Sequence, residues 1–318
     1  MTLGAGVGAA GRDKLPAEGV RGKRGLALLF AALLLCAGTV GAQALVETRA
    51  SKNARIEALL EQAANAMAGV YDYRGTLVKR ELFGDELLQQ TIEFKFSRPF
   101  KVYVKYIEPH AGREAIYIRG VNRNRLRAHK GSLPDVAVSL RPHGAIAMAY
   151  NHHPITSFGL ERMLEVGARN IRKAITQGDA TLGVSDGGAV HGEPTWRIDM
   201  ESKAGGRYVT VRNSETLWDL ARRVEQDMYV ILHHNDEIDG PAGIHEGQRV
   251  FVPNYYASRG EYFIGKRTFM MVKAKSWDHN GRLYESYEYP TLELNPGLEA
   301  RDFDHRNKDY DFMVVNQR

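Results

Sequence analysis

A serine in a glycine-rich segment is the first candidate for chemistry. Residues 183–187 read Gly-Val-Ser-Asp-Gly, which has the G-x-S-x-G spacing of a nucleophile elbow. Such an elbow needs a strand before the serine and a helix after it. The next residues include Gly188, Gly192 and Pro194, which prevent a helix. We therefore interpret Asp186-Gly187 as a turn, and the segment predicts no serine catalysis.

Histidines and acids are the next candidates. Adjacent histidines at 152–153 and at 233–234 do not share a helix or strand face, so each pair offers one local metal ligand at most. We interpret all four as loop or surface histidines. Glu285 and Glu288 fall on opposite faces of one predicted strand, which is a poor arrangement for the paired carboxylates of a glycosidase.

The C-terminal part carries an acidic run that could suggest calcium. It lacks the central glycine and the final glutamate of a calcium-binding loop. The run contains Asp302, Asp304, Asn307, Asp309 and Asp311. We interpret this run as solvated charge. Taken with the serine, the histidines and the glutamates above, the sequence predicts no metal, no cofactor and no enzymatic activity.

Composition and charge exclude several classes of protein. The chain has 318 residues, 43% of them hydrophobic and 25% charged, which fits a globular protein. The first 44 residues hold +3 of the net charge of +5, so the remainder is only slightly basic. With no basic stripe interleaved with aromatic residues, nucleic acid is not an expected partner. A local cluster of basic residues (Arg119, Arg123, Arg125, Arg127, Lys130) has two interpretations: a contact with anionic lipid or glycan phosphate, or a solvated strand face.

The N-terminal segment has the pattern of a secretory signal. Arg21, Lys23 and Arg24 precede the apolar residues 25–36, and Ala42-Gln43-Ala44 offers a cleavage site. We expect residues 1–44 to be a signal peptide and the protein to lie in the periplasm. An uncleaved anchor and an outer-membrane lipoprotein acylated at Cys36, the only cysteine, are less favoured alternatives, because the apolar run is short and Leu35 is large.

The periodicity of the remaining chain predicts an α+β fold. Apolar residues at helical spacing indicate one helix from Ser51 or Asn53 to Gly69 and a second that begins after Pro154. Alternating residues at 92–96, 102–106, 116–118 and 195–200 indicate strands, and Asn280-Gly281 joins two further strands as a hairpin. Short links between many strands favour an antiparallel sheet with helices covering one face.

Residues 207–257 follow a strand–helix–helix–strand pattern. Eleven positions in it match one known module: Tyr208, Val211, Thr216, Leu217, Trp218, Ala221, Asn235, Gly247, Gln248, Val250 and Pro253. On these residues the segment resembles a LysM module. The resemblance implies a βααβ insertion that binds peptidoglycan in a shallow groove. Carried over, the glycan-binding positions are Ser214, Glu215, Thr216, Asn235, Asp236 and Ile238. The chain departs from the family pattern at 214–215, where Gly-Asp is usual, and at Asp236, where proline is common.

On both sides of this module, residues 73–77, 112–117, 153–156, 287–289 and 302–310 carry a second resemblance. They resemble a bacterial envelope family of unknown function related to the lipoprotein carriers LolA and LolB and to the stress sensor RseB. The resemblance covers roughly residues 54–203 and 258–313, and we assign residues 45–206 and 258–318 to this domain. The resemblance implies a curved, half-open antiparallel β-barrel covered by helices, with an apolar interior that holds acyl chains. The residues expected to line that interior are Ile92, Phe94, Phe96, Val102, Val104 and Tyr106.

Together these patterns predict a non-enzymatic cell-envelope protein that binds lipid or lipoprotein acyl chains in the barrel and peptidoglycan through the module. One alternative is a structural or regulatory protein that docks on an envelope protein partner, which would have a solid core and an exposed apolar patch. A second alternative is a cell-wall hydrolase, which would need two carboxylates in a cleft.

Overall fold

The computed structural model describes residues 48–132, 136–203 and 205–312. The predicted signal peptide and Cys36 lie outside these residues. Glu47–Arg318 form one compact unit. None of the helices in the described residues is both long and apolar enough to cross a membrane.

The main element is an antiparallel sheet of eleven strands. Its strands, in chain order, are β1 (Asp72–Phe83), β2 (Glu86–Ser97), β3 (Lys101–Glu108), β4 (Glu114–Ile118), β5 (Leu126–His129), β6 (Val138–Leu140), β7 (Ala180–Val190), β8 (Glu193–Ser202), β11 (Arg259–Gly265), β12 (Met271–Trp277) and β13 (Leu283–Leu294). The two strands between β8 and β11, β9 (Gly206–Thr210) and β10 (Arg249–Pro253), form a separate small sheet. The spatial order is β6-β5-β4-β3-β2-β1-β13-β12-β11-β8-β7, so β6 and β7 are the two free edges.

Two long helices cover the inner face of this sheet. α1 (Arg49–Ala68) buries one stripe of residues, among them Ile56 and Leu60, and Thr48 caps its N-terminus. α3 (Leu160–Gln177) buries Leu164, Ile171 and others against the same core. A short helix, α2 (Ala145–Met148), lies between β6 and α3.

The second helix begins later than predicted. Pro154 opens only a 3₁₀ turn, Ile155–Ser157, and α3 starts after Gly159, whose φ of 117° is outside the helical range. The hydroxyl of Tyr73 accepts a hydrogen bond from the backbone N–H of Leu160 at 3.0 Å, which fixes the start of the helix against β1. A tertiary contact from a distant strand therefore sets this boundary.

Residues 183–187 also differ from the prediction. They form the middle of β7, and the register between β7 and β8 shifts between Asp186 and Gly188. The Asp-Gly pair is thus a β-bulge in an edge strand, where glycine is common, and the predicted turn is wrong. Ser185 is followed by strand and not by helix, which excludes a nucleophile elbow.

The sheet is strongly curved. Residues of β6 and of β11, eight strand positions apart, line one common cavity. In a flat sheet those strands would be separated by about 38 Å, at roughly 4.8 Å per position. The sheet therefore bends around the cavity without closing, and the predicted α+β class with a curved, unclosed antiparallel sheet is confirmed.

Residues 206–253 form a small unit with its own core. Its elements are β9 (Gly206–Thr210), α4 (Leu217–Arg223), α5 (Met228–His233) and β10 (Arg249–Pro253), and β9 pairs with β10 antiparallel. Its core includes Leu217, Leu220, Ile231 and Val250. Both ends of the unit lie in this two-stranded sheet. The chain leaves the large sheet after β8 and returns to it at β11, so the unit is an insertion between these two strands.

Candidate functional site

The concave side of the curved sheet encloses a cavity of about 710 Å³. This volume lies in the range of small-molecule and cofactor sites. Most of the wall is apolar and comes from strands on both sides of the bend and from α3. It includes Leu77, Ile92, Val104, Leu126, Leu140, Phe158, Met163 and Ala274.

The mouth of the cavity carries exposed apolar side chains. Val136, Val138 and Tyr150 have exposed fractions of 52%, 45% and 42%, and Ile146 of α2 reaches 76%. All four also line the cavity. Apolar residues around an opening of this kind are typical of a site that takes up an apolar ligand.

A cluster of buried charged groups forms one part of the cavity wall. Glu81 of β1 and Glu285 of β13 are cross-strand partners, and their exposed fractions are 3% each. Two carboxylates at such a pair repel each other and lose hydration, so they require compensation by hydrogen bonds and positive charge.

Glu81 is compensated by a lysine from its own strand. Lys79 Nζ donates to Glu81 Oε2 at 2.7 Å and to Asn151 Oδ1 at 2.6 Å, and Tyr287 OH donates to Glu81 Oε1 at 2.6 Å. Burial opposes ionisation of Glu81, but Lys79 and His152 outweigh it and lower the pKa of the carboxyl below its usual value. The ion pair therefore keeps Glu81 charged inside the wall.

Glu285 is compensated by both histidines of the 152–153 pair. His152 Nδ1 and His153 Nε2 each lie 2.9 Å from Glu285 Oε1, and Tyr256 OH donates to Oε2 at 2.5 Å. Burial alone would raise the pKa of Glu285, yet the two histidines hold it far below its usual value. Burial alone would lower the pKa of His153, yet Glu285 raises it to about 9.

These contacts correct the prediction for the first histidine pair. His152 is 8% exposed, and its Nε2 lies 2.7 Å from the carbonyl oxygen of Leu82, so both ring nitrogens face acceptors. The side chain of His153 is 20% exposed. Both histidines lie in a loop, as the interpretation allowed, but they are not surface residues, because partners from β1 and β13, distant in sequence, cover both rings. His233 and His234 are also half-buried, where burial lowers the pKa of each ring.

The donor set of this cluster resembles a cation site in composition only. One ligand atom each from Glu81, His152 and Glu285 lies within 4.8 Å of the others. However, Lys79 already neutralises Glu81, and a proton shared with His153 balances Glu285. A divalent ion would add positive charge to a buried wall whose carboxylates are already neutralised. These residues therefore fit a network of hydrogen bonds and ion pairs better than a metal site.

The six predicted cavity residues occupy three cross-strand pairs of β2 and β3: Ile92 with Tyr106, Phe94 with Val104, and Phe96 with Val102. All six are buried in the main core. Ile92, Val104 and Tyr106 line the cavity. Phe96 and Val102 lie deeper, where Phe96 stacks on Tyr73, and Phe94 contacts Phe158 at the edge of the wall.

The six predicted glycan positions separate into exposed and buried groups. Ser214, Thr216 and Asp236 are exposed, and Glu215 forms an ion pair with Arg223 at 2.6 Å. Ile238 belongs to the core of the small unit. The chain that follows residues 214–216 and the chain that follows residues 235–238 are joined by one bond, from the N–H of Leu217 to the carbonyl oxygen of Pro241 at 3.4 Å.

Asn235 is a structural residue of the small unit. It is 3% exposed, its amide group donates to the carbonyl oxygens of Ile231 and Phe251, and its Oδ1 accepts from the N–H of Phe251 at 2.8 Å. These bonds join the end of α5 to β10. Asn235 therefore has no side-chain donor left for a glycan.

The fold and site define a cavity-bearing protein built on one curved, unclosed antiparallel sheet. The chain belongs to the family described as protein of unknown function DUF1571, whose model matches residues 70–234 and 245–312. No curated protein matches the chain.

Several solved structures share a likeness with the chain. A DUF1329 family protein from Desulfovibrio piger is 10% identical, with a TM-score of 0.34 over 79% of this chain and 97% of that one. MucB in the Pseudomonas aeruginosa MucA/MucB complex is 11% identical, with a TM-score of 0.38 over 79% of this chain and 60% of that one. The lipoprotein LppX of Mycobacterium tuberculosis is 14% identical, with a TM-score of 0.35 over 78% and 99%. With TM-scores below 0.5, these likenesses carry no functional conclusion.

Proposed function

We propose that the chain is a non-enzymatic periplasmic protein of the bacterial envelope whose cavity binds an acyl chain of a lipid or lipoprotein. The observation that carries this proposal is the cavity of about 710 Å³, with its mostly apolar wall and its mouth surrounded by exposed apolar residues. The buried charged cluster is satisfied by its own partners, so it supports a structural role and not acid–base catalysis on a bound substrate.

The apolar wall provides the main driving force for binding an acyl chain. Each methylene group removed from water contributes about 0.8 kcal/mol, so about twelve methylenes contribute on the order of 10 kcal/mol. Association costs about 4–15 kcal/mol in lost freedom, and additional apolar contacts at the ends of the chain add to the gain. A preformed cavity keeps this cost low because few side chains must be ordered.

A titration of delipidated protein with a fluorescent fatty acid tests the proposal. We expect saturable binding at micromolar concentrations. Ala128 lines the cavity, so Ala128→Trp fills part of its volume and should weaken binding at least tenfold. Arg127→Trp is the matched control, because this side chain lies on the opposite face of the same strand and should leave the affinity unchanged.

The result that would refute the proposal is failure of the wild-type protein to bind, or equal binding by both variants. Extraction of the purified protein with organic solvent, followed by mass spectrometry, identifies any lipid that it carries from the cell. Zymography on purified cell wall tests the hydrolase alternative, for which we expect no clearing.

We also propose that the small unit is a LysM-like module that binds peptidoglycan. The separate core, the strand–helix–helix–strand order and the exposure of Ser214, Thr216 and Asp236 support this proposal. A single such module binds weakly on its own and would mainly raise the local concentration of the protein at the cell wall.

A further inference from the structure

The turn between β4 and β5 combines arginines that have no carboxylate partner among the described residues with an exposed apolar side chain, and the guanidinium of Arg119 lies over the ring of Phe100 at 4.5 Å. We call residues 119–125 the basic turn. Arg119 and Arg123 are exposed, Arg125 is half-buried, and Val121 between them is 52% exposed. Within the part of the chain that the structure describes, no carboxylate lies within 4.0 Å of these three arginines, whereas the nearby Arg98 contacts Glu161 at 3.6 Å.

The turn is held in one conformation by its own side chains. Asn124 Oδ1 accepts from the N–H of Gly120 at 2.6 Å, and Asn122 Nδ2 donates to the carbonyl oxygen of Arg125 at 3.2 Å. Asn122, Arg123 and Asn124 all have φ between 51° and 56°, the left-handed region that non-glycine residues rarely adopt. Consecutive residues in such a conformation are typical of functional segments.

The turn lies at the same end of the curved sheet as an exposed tyrosine, Tyr71. The N–H of Arg119 donates to the carbonyl oxygen of Phe100 at 3.1 Å, and the N–H of Arg98 donates to that of Tyr71 at 2.9 Å. Tyr71 is 69% exposed. This end therefore presents arginines, an aliphatic residue and an aromatic residue to solvent, a combination found where proteins meet the headgroup region of a bilayer.

We propose that the basic turn, together with Tyr71, binds the surface of a membrane that contains anionic phospholipid. The arginines contact the headgroup phosphates, and Val121 and Tyr71 enter the interface, where their burial contributes apolar area. A small soluble anion would not use the two apolar side chains, and this favours a lipid surface over free phosphate. Glu81 and Glu285 lie towards the far end of β1 from Tyr71, so the membrane contact is distinct from the charged cluster in the cavity wall.

The test uses residues 45–318, which contain the compact unit, in co-sedimentation with vesicles. Vesicles of phosphatidylcholine with one third phosphatidylglycerol should bind the protein in 50 mM salt and release it in 1 M salt, where the screening length is about 3 Å. Each arginine near an anionic surface contributes a factor of about five in affinity, so Arg119→Gln, Arg123→Gln and Arg125→Gln combined should weaken binding on the order of 100-fold. Val121→Asp alone should weaken it in the same direction.

A charge-matched control separates a local contact from general attraction. The triple variant Arg169→Gln, Arg207→Gln and Arg249→Gln removes three exposed arginines from other surfaces and should bind as the wild type does. The proposal is overturned if both triple variants lose affinity equally, if neither does, or if binding to a soluble glycerol-phosphate polymer equals binding to vesicles. The basic-turn variant should bind fatty acid as the wild type does. A negative result for membrane binding is therefore distinguishable from a negative result for the cavity proposal.

Discussion

Glu81 and Glu285 face each other as direct cross-strand partners of β1 and β13, inside the wall of the cavity. Like charges at such a pair destabilise a sheet unless other groups compensate them. Here Lys79 neutralises Glu81, while His152 and His153 both contact the same oxygen of Glu285. The histidines come from the segment that crosses the cavity mouth, so the acids tie this segment to the sheet.

Glu285→Gln should destabilise the protein strongly. The substitution leaves the buried His153 without its counter-ion, and removal of one partner of a buried ion pair costs about 3–5 kcal/mol of unfolding free energy. Glu288→Gln is the control on the opposite face of the same strand, where Lys273 and His191 are its partners, and should cost about 1 kcal/mol or less. Urea unfolding at pH 7 measures both, and similar losses would contradict a special role for Glu285.

The pKa of His153 predicts a loss of stability in mild alkali. Its pKa rises from an ordinary 6.5 to about 9 in the folded state, so its contribution is complete below pH 6.5 and is lost as the pH rises through 9. A shift of this size corresponds to about 3 kcal/mol. Urea unfolding between pH 6.5 and 9.5 should show the decline in the wild type.

His153→Gln should remove most of this decline, because the variant has no proton to lose. If the variant retains the same slope, another group is responsible and the assignment is wrong. Below pH 6.5 the expected trend reverses, since burial lowers the pKa values of His233, His234 and His279, and their protonation disfavours the folded state. The low pKa of Glu285 adds a further loss in acid, below its ordinary value of 4.5.

Local patterns were sufficient to predict most of the sheet. The β12–β13 hairpin follows from Asn280-Gly281 between alternating residues, and Asp278 stabilises it by accepting from the N–H groups of Asn280 and Arg282. The three pairs of apolar residues between β2 and β3 likewise follow from the alternation of apolar and polar residues along each strand. These features depend on neighbours in sequence, which is why sequence reasoning could find them.

The charged cluster could not be predicted in the same way. His152 and Glu285 are 133 residues apart, and they meet only because the loop between α2 and α3 lies against β13 in the folded protein. One local signal was present: Glu285 shares its strand face with Tyr287 and Tyr289, both of which line the cavity. A carboxylate on an apolar strand face indicates a buried partner, although it does not say which residue that partner is.

Gly159→Ala should destabilise the protein by more than the positive φ at this position alone would cause. A Cβ at this position would lie 2.3 Å from the hydroxyl of Tyr73, which must move and release the N–H of Leu160. Gly192→Ala is the control, because Gly192 also has a positive φ but has open space around its Cβ position. We expect a loss of about 1 kcal/mol for the control and at least 3 kcal/mol for Gly159→Ala. Equal losses in thermal unfolding would mean that Tyr73 does not fix the helix start.

The exposed positions of the small unit allow glycan binding to be separated from folding. Ser214→Ala combined with Asp236→Ala removes two exposed polar groups with no buried partner, so the unfolding free energy should change by about 0.5 kcal/mol or less. Asn235→Ala instead breaks the bonds to Ile231 and Phe251 and should cost about 2–3 kcal/mol. Sedimentation with purified peptidoglycan should then show at least a fivefold weaker affinity for the Ser214/Asp236 variant, at unchanged stability. Unchanged sedimentation of that variant, or no sedimentation of the wild type, would leave the unit with a structural role only.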